Sequence, residues 1–298
     1  MLRPELMREV QMLELRAGHL ASDLLAGEYA SAFKGRGMQF DEVREYVVGD
    51  EVRTIDWNVT ARTGVPHVKI FREERELTML VMVDVSPSQG FGVARSKQES
   101  AAELAAVLAF LAIRSNDRVG LVLFSDHVER FIPPAKGRAH VWQIIRAVLA
   151  HERRGRTTRC GEALEFVMQV QARKALCFMI SDFIGEDFSA QLKIAARRHD
   201  LVCVASGDPR ETQLADAGIV EFHDAESGDV VLIDTGDAEV RRRFAAAAAE
   251  RSRRLEQDFS VAGASHFSIS TGESVTRPLV RFMRRREAMG RRPATRVS

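Results

Sequence analysis

The sequence predicts an α/β protein with a doubly wound, mainly parallel sheet, and two observations lead to this prediction. From residue 77 onward, short runs rich in valine, leucine and methionine alternate with helical segments, which is typical of parallel strands covered by helices on both faces. The first 76 residues lack this alternation and predict a small α+β module. We therefore expect a module at 1–76, a doubly wound domain at 77–286 and a basic tail at 287–298.

Composition limits the class of protein. The chain has 298 residues, of which 45% are hydrophobic, and this is enough to build a large core. A net charge of +1 gives the whole molecule no field that would attract nucleic acid or an anionic membrane. The three cysteines form no CxxC pair, which fits a reducing compartment. Because no apolar leader or membrane-length apolar run occurs, we expect a cytoplasmic protein without a membrane span.

The N-terminal module begins with a predicted helix. Apolar residues recur at three- and four-residue steps across 5–30, which indicates an amphipathic helix, and Gly35 and Gly37 follow it as breakers. Residues 65–73 alternate weakly between apolar and polar side chains, as a half-exposed strand does. The module is therefore predicted to contain one helix and at least one strand.

The larger domain is predicted from its apolar runs and helical periods. The predicted strands are 77–83, 119–124, 128–132, 175–180, 201–205, 230–233 and 266–269, and the predicted helices are 93–114, 139–150, 161–172, 187–199, 238–258 and 275–286. We expect 128–132 to form a hairpin with the strand before it and to end at Pro133 and Pro134, because proline lacks the N–H that a ladder needs. We expect 230–233 to be an edge strand of the same sheet.

Polar residues follow the strands where such a sheet binds ligands. Asp84, Ser86 and Ser88 come directly after the first strand, and Asp182 follows 175–180. Thr158 lies in a polar loop before the next helix. All five side chains offer oxygen atoms, and no histidine or cysteine is among them. This donor set suits Mg²⁺ or Mn²⁺ better than zinc.

The pattern Asp84-x-Ser86-x-Ser88, taken with Thr158 and Asp182, resembles the metal-ion-dependent adhesion site of von Willebrand factor A domains, over roughly residues 77–270. The resemblance implies that the two serines and the threonine bind the metal directly or through water, while the carboxylates hold its waters. One metal position would remain for an acidic side chain of a partner. Mainly neutral ligands would leave the cation electrophilic, so that an incoming carboxylate gains a strong contact.

A second resemblance lies in the N-terminal module. Residues 40–46, 49–57 and 61–62 resemble the signature that precedes the A-type domain in the bacterial family called domain of unknown function 58, and the resemblance continues to Thr271. It implies an adaptor or assembly factor that acts with a MoxR-type AAA+ ATPase on an acidic client protein. Gln89 stands where a methionine often follows the second serine, a departure that should not remove a ligand.

The module also carries charged residues whose role stays open. Arg53, Asp56 and Arg62 could form an ion-pair network around Trp57. Such a network would either fasten the module to the larger domain or provide a docking surface for a partner.

Two other functions compete with metal-dependent binding. The first is a serine hydrolase with Ser88 as nucleophile, Asp182 as acid and His223 or His266 as base. Pro87 and the early position of this turn in the domain argue against it. The second is nucleic-acid binding through residues 281–298, which hold seven arginines against one glutamate but lack the repeated interleaving of aromatic residues that stacking on bases needs.

Neither alternative is our main expectation. The sequence has no P-loop, so we expect no nucleotide hydrolysis. Because the oxygen-only site favours a binding module, we expect that the protein is not an enzyme. Cys177 and Cys203 fall inside predicted strands and should act as small apolar residues, while Cys160, close to the site loop, leaves a reactive thiol as an alternative.

Overall fold

The computed structural model describes residues 4–21, 23–34, 39–72, 76–92, 95–151, 155–223 and 230–290. Its strands are β1 (Gln39–Glu45), β2 (His67–Arg72), β3 (Thr78–Asp84), β4 (Arg118–Phe124), β5 (Val128–Ala135), β6 (Leu176–Ser181), β7 (Asp200–Gly207), β8 (Ile219–His223), β9 (Val230–Asp234) and β10 (Ser265–Ser270). Its α-helices are α1 (Pro4–Leu20), α2 (Asp23–Tyr29), α3 (Trp57–Thr63), α4 (Lys97–Arg114), α5 (Arg138–Leu149), α6 (Cys160–Val170), α7 (Ser189–Arg198), α8 (Ala238–Ala262) and α9 (Thr276–Gly290).

A six-stranded sheet in the order β10-β7-β6-β3-β4-β5 forms the centre of the molecule. All its neighbouring pairs are parallel except β4 and β5, so β5 is an antiparallel edge strand. Numbered along this domain, the order is that of a doubly wound sheet, and the prediction of this fold class is confirmed. The strand order reverses between β3 and β6, and the crevice at their carboxyl ends is where such folds bind ligands.

Helices cover both faces of the sheet, and the side chains of β3 point alternately into the two cores that result. Met79, Val81 and Val83 belong to a cluster with α4, α5 and α9, whereas Leu80 and Met82 belong to a cluster with α6, α7 and the end of α8. All five side chains are fully buried. The two-residue period of the strand thus places alternate side chains in opposite cores.

The N-terminal helices share the first of these cores. Ala17, Ala21, Leu25 and Tyr29 are buried among residues of α4 and α9, and a π-helical turn at Ala30–Lys34 follows them. β1 and β2 form a separate two-stranded antiparallel sheet next to α3. The boundary at residue 76 stays a prediction, but α1 and α2 pack as part of the larger domain's core.

Several predicted elements differ from the observed ones. Residues 230–233 do not extend the main sheet; they pair with β8 in a separate hairpin, because the chain between β7 and α8 turns back on itself. β5 continues through Pro133 and Pro134 to Ala135, because an edge strand with a register shift tolerates residues that cannot donate. The helix predicted at 5–30 is two helices, and β1 and β8 were not predicted. α9 extends into the predicted tail, of which 291–298 lie outside the described residues.

The predicted ion-pair network around Trp57 is wrong. Asp56 caps α3 by accepting from the backbone N–H groups of Asn58 and Val59, and its carboxylate lies 3.4 Å from the ammonium of Lys69. Arg53 and Arg62 make no ion pair within the described ranges, and the Trp57 side chain is 67% exposed. A short polar capping residue is better placed to satisfy the helix N-terminus than to reach two arginines. A docking role for this surface stays a prediction.

Within the part of the chain that the structure describes, no helix is both long enough and apolar enough to cross a membrane.

Candidate functional site

The site begins at the carboxyl end of β3. Asp84 is fully buried and accepts a hydrogen bond from the backbone N–H of Ser86 at 2.9 Å, which tightens the turn that follows the strand. A single 3-10 turn at Pro87–Gly90 then carries Ser88 back over the strand end. The turn thereby brings two hydroxyl groups close to one buried carboxylate.

Four of the five predicted residues are linked by hydrogen bonds between adjacent strand ends. The hydroxyl oxygens of Ser86 and Ser88 lie 3.1 Å apart, and the Ser88 hydroxyl donates to Oδ2 of Asp182 at 2.8 Å. Asp182 directly follows β6, the parallel neighbour of β3. The reversal of strand order therefore places residues 94 positions apart in the chain in contact.

Thr158 lies at the same edge of the sheet. It is buried, and the N–H of the next residue, Arg159, donates to the carbonyl of Ser125 just after β4. Its own carbonyl faces Gly185 in the loop after β6, where a Cβ would lie only 2.4 Å from that oxygen. The backbone thus positions Thr158 between the ends of β4 and β6, and its role as a ligand stays a prediction.

Sequence reasoning missed residues that complete the site. The hydroxyl of Ser181 donates to Oδ2 of Asp84 at 2.6 Å. The side chain of Gln89 is fully buried, lies 3.5 Å from the same carboxylate oxygen and accepts from Ser206 at 3.3 Å. Ser181 was adjacent to a predicted ligand, but nothing in the sequence indicates that Gln89 turns inward.

The most important missed residue is Lys97, in the first turn of α4. Its Nζ lies 2.7 Å from Oδ2 of Asp182 and 2.7 Å from Oε1 of Glu211, and its side chain is fully buried. A cation in the first turn of a helix opposes the helix dipole, which was a signal in the sequence that this lysine has a specific partner.

Burial and charge shift the pKa values of two of these groups. Burial, followed by the negative charge of Asp182, raises the pKa of Asp84 to about 7, although the hydrogen bonds from Ser181 and Ser86 act in the opposite direction. Burial also tends to lower the pKa of Lys97, but Asp182 and Glu211 outweigh it and raise that pKa above its ordinary value. Lys97 is therefore charged at neutral pH.

The donor set fits a divalent cation. The site contains one ammonium, which pairs with Asp182 and Glu211, and a third carboxylate, Asp84, so a divalent cation would bring the formal charge of the fully ionised group to zero. The remaining donors are hydroxyl oxygens, which Mg²⁺ and Mn²⁺ accept. Within the described ranges, no group of three or more histidine, cysteine, aspartate or glutamate side chains is arranged to hold a metal, so the serines and Thr158 would have to supply ligands.

A groove of about 610 Å³ opens beside the site. It follows the carboxyl ends of β7 and β10 and reaches Asp182 and Glu211. Its lining includes two exposed arginines, Arg210 and Arg251. It also includes the apolar side chains of Ile184, Phe222, Phe244 and Leu255. Among the described residues, neither arginine forms a salt bridge. The groove thus combines an apolar wall with two arginines and with the carboxylates of Asp182, Asp208 and Glu211.

The geometry is unfavourable for a serine hydrolase. Ser88 donates to Asp182 rather than to a histidine, and that carboxylate is already held by Lys97. His266 is the second residue of β10 and packs on Phe259, whereas the site lies at the other end of the parallel strands. The side chain of His223 lies outside what the structure describes.

The three cysteines are free and buried. Burial raises the pKa of the Cys160 thiol, so a reactive thiolate beside the site is not favoured. Cys177 and Cys203 lie inside β6 and β7, as predicted.

Comparison with known proteins places this geometry in a family. The family described as "Protein of unknown function DUF58" matches residues 42–254. Uncharacterized proteins of Mycobacterium tuberculosis and Mycobacterium bovis are 32% identical over 292 residues, which cover 96% of this chain and 92% of each relative.

The chain also matches solved structures, at lower sequence identity. The conserved hypothetical protein BatB from Bacteroides thetaiotaomicron is 14% identical with a TM-score of 0.47, and the match covers 71% of this chain and 99% of that one. The VWA domain of SpRpn10 is 8% identical with a TM-score of 0.39, covering 69% of this chain and 94% of that one.

Proposed function

Because the chain belongs to the DUF58 family of proteins of unknown function, we propose its role from the geometry of its site: it is a protein-interaction module that binds an acidic side chain of a partner through a divalent cation. Asp84, Ser86, Ser88, Thr158 and Asp182 would hold Mg²⁺ or Mn²⁺. In this proposal the protein is a binding protein rather than an enzyme.

The observation that carries the proposal is the chain of oxygen atoms from Asp84 through Ser86 and Ser88 to Asp182. Hydroxyl ligands neutralise little of the charge of a divalent cation, and one of the two carboxylates is already paired with Lys97. Such a cation would keep an attraction for an incoming aspartate or glutamate. This chemistry requires no bond to be made or broken in the partner.

The groove beside the site supports a protein ligand. A partner segment bound at the cation would continue into a largely apolar groove that Arg210 and Arg251 also line. The cation and the two arginines would attract an acidic side chain, and the apolar side chains would contribute affinity. We therefore expect the partner segment to combine an acidic residue with neighbouring apolar ones.

The identity of the partner rests on the family resemblance. We propose a MoxR-type AAA+ ATPase and an acidic client protein as partners, in the cytoplasm and without membrane or nucleic-acid binding. Within the described part of the arginine-rich end, Arg284, Arg285 and Arg286 contact Glu28, the carbonyl of His266 and Asp200 respectively, which favours a structural role.

Titration of the purified protein with Mn²⁺, followed by electron paramagnetic resonance, tests the metal site. We expect one saturable site that Mg²⁺ displaces and that Asp84→Asn and Ser88→Ala abolish. Asp216→Asn, which changes an exposed ion pair with Arg241, serves as the control and should bind as the wild type does. Circular dichroism verifies that each variant is folded. Absence of binding to the wild type would overturn the proposal.

The partner is tested by affinity capture with wild type and Asp84→Asn, each in Mg²⁺ and in chelator. We expect a MoxR-type ATPase or an acidic client to be retained only by wild type with metal. Equal capture in all four conditions would contradict binding through the cation.

A further inference from the structure

Lys97 is a buried cation placed against the metal site. Its ammonium reaches Asp182 from the first turn of α4 and lies at 2.7 Å from both Asp182 and Glu211. The side chain has no solvent exposure, so it cannot meet a partner protein directly. A charge at this depth is costly unless it is paired, and the two carboxylates supply that pairing.

Lys97 and Ser88 use the same oxygen of Asp182. Oδ2 accepts from the Ser88 hydroxyl at 2.8 Å and from the Lys97 ammonium at 2.7 Å, while Oδ1 accepts from the backbone of Ile184 at 3.2 Å. A cation that interacts with Asp182 therefore meets a positive charge already in place. A bound metal ion would be repelled by the Lys97 ammonium, which already holds this carboxylate.

Glu211 offers Lys97 a second partner. It lies on the 3-10 turn after β7 and lines the groove, and its side chain is 31% exposed, whereas that of Asp182 is 3% exposed. The ammonium can thus remain paired with Glu211 when Asp182 turns toward a metal. Because the ammonium already lies 2.7 Å from Glu211, it needs no new partner for this exchange.

We propose that Lys97 is a tethered competitor of the divalent cation: it neutralises Asp182 in the metal-free protein and thereby sets the metal affinity of the site. This inference rests on the proposed function, because it assumes that the site binds a divalent cation. The site consequently binds metal more weakly than its oxygen donors alone would allow. Metal binding would be linked, through the shared ammonium, to Glu211 at the edge of the groove.

The first test compares Lys97→Met with wild type in Mn²⁺ and Mg²⁺ titrations. Removal of the competing charge should tighten metal binding about tenfold or more. Lys34→Met is the matched control, since Lys34 is a similarly buried lysine that pairs with Asp117 at 3.0 Å, at the opposite end of β3. The control should lose stability without a change in metal affinity.

If Lys97→Met is too unstable for metal titration, thermal unfolding tests the same inference. In chelator this variant should melt below wild type, because Asp182 and Glu211 lose their counter-charge. Saturating Mg²⁺ should raise its melting temperature by more than it raises that of wild type. If Lys97 had only a structural role, Lys97→Met would melt below wild type in chelator, but Mg²⁺ would not raise its melting temperature by more than it raises that of wild type.

Glu211→Gln should change the metal affinity in the direction opposite to Lys97→Met. It leaves Lys97 with Asp182 as its only charged partner in the described structure, so metal binding should weaken severalfold. In a Lys97→Met background the same substitution should have a much smaller effect, because the ammonium through which it acts is gone. Equal effects of Glu211→Gln in both backgrounds would contradict the coupling.

The outcomes separate this inference from the proposed function. Metal binding by wild type with unchanged or weaker binding by Lys97→Met would overturn the inference and leave the metal site intact. Absence of binding in wild type and in Lys97→Met alike would overturn both.

Discussion

Asp84 is the residue on which the chemistry of the site depends most. It is buried at the end of the central strand, and its carboxylate accepts from Ser181 and from the backbone of Ser86. Because Asp182 lies close by, ionisation of Asp84 adds a second negative charge in a poorly solvated place. A proton or a metal ion relieves this repulsion, so the two should compete for the site.

The pH dependence of stability follows from the raised pKa of Asp84. A carboxyl whose pKa rises from 3.8 to about 7 on folding stabilises the fold fully below the lower value and loses that contribution as the pH rises through the upper one. Between about pH 5 and about pH 8 in chelator, the free energy of unfolding of wild type should therefore fall by on the order of 3 kcal/mol relative to that of Asp84→Asn. Urea unfolding at both pH values measures this difference. If wild type and Asp84→Asn differed in unfolding free energy by the same amount at both pH values, the prediction would be wrong.

Metal binding should show the opposite dependence on pH. Because the proposed cation would require ionised Asp84, the affinity for Mg²⁺ should fall as the pH drops below about 7, with proton uptake on metal release. Calorimetric titration in buffers of different ionisation enthalpy counts these protons. Proton-independent binding across this range would show that Asp84 is not a ligand.

Gly185 tests the backbone that supports Thr158. A Cβ at this position would lie 2.4 Å from the Thr158 carbonyl, and its φ of +155° is one that other residues rarely adopt. Gly185→Ala should therefore cost about 1–3 kcal/mol of stability and weaken metal binding. Gly161→Ala is the control, since its Cβ would meet only the flexible side chain of Gln191 at 3.4 Å. Chemical unfolding and metal titration of both variants check the prediction.

At the scale of elements, α9 joins the N-terminal helices to the sheet. Leu279, Phe282 and Met283 lie in the core, while Arg286 contacts Asp200 at the start of β7 and the carbonyl of Ala32. Its guanidinium also lies 4.8 Å from the centre of the Phe33 ring. The basic end of the chain thus has structural contacts that composition alone did not indicate.

Arg286→Ala should destabilise the protein by about 1–3 kcal/mol, because it removes a half-buried ion pair, hydrogen bonds and a cation–π contact together. Arg281→Ala, on an exposed position of the same helix, should change stability by less than about 0.5 kcal/mol. Thermal and urea unfolding measure both. Equal effects would mean that the charge of the helix, rather than these contacts, determines the result.

At the scale of the whole molecule, the N-terminal helices and the sheet form one core. α1 packs on α4 and α5, and the hydroxyl of Tyr29 donates to Asp117 at 3.0 Å beneath the start of β3. The burial of these helices implies that they unfold with the sheet. The β1–β2 sheet, in contrast, has its own pairing and lies outside this core.

Leu25→Ala tests this arrangement, because Leu25 is buried in the shared core. It should lower the stability of the whole sheet domain by about 2–4 kcal/mol, whereas Leu15→Ala, at a position 66% exposed, should have little effect. Trp142 on α5, followed in a Trp57→Phe background, reports on the sheet domain. Two separate transitions, with Trp142 insensitive to Leu25→Ala, would support an independent N-terminal module instead.

Much of the fold was predictable from local patterns. The strands β3, β4, β6 and β7 are continuous apolar runs, and their recognition placed Asp84 and Asp182 at strand ends. The strand β9 was misassigned to the main sheet because a short apolar run does not reveal which sheet it joins, and its partner β8 was not predicted. Asp56 was misassigned because a capping carboxylate and an ion-pairing one look alike in a sequence.

The sequence by itself determined the doubly wound class and the loops that carry oxygen donors, because both depend on periodicity and on the residues that end each strand. Only the tertiary structure decided that Lys97 and Glu211 belong to the site and that α1 and α2 share the main core. The reason is physical: contacts between Lys97, Asp182 and Glu211 join residues 85 and 114 positions apart, and the order of strands alone brings them together.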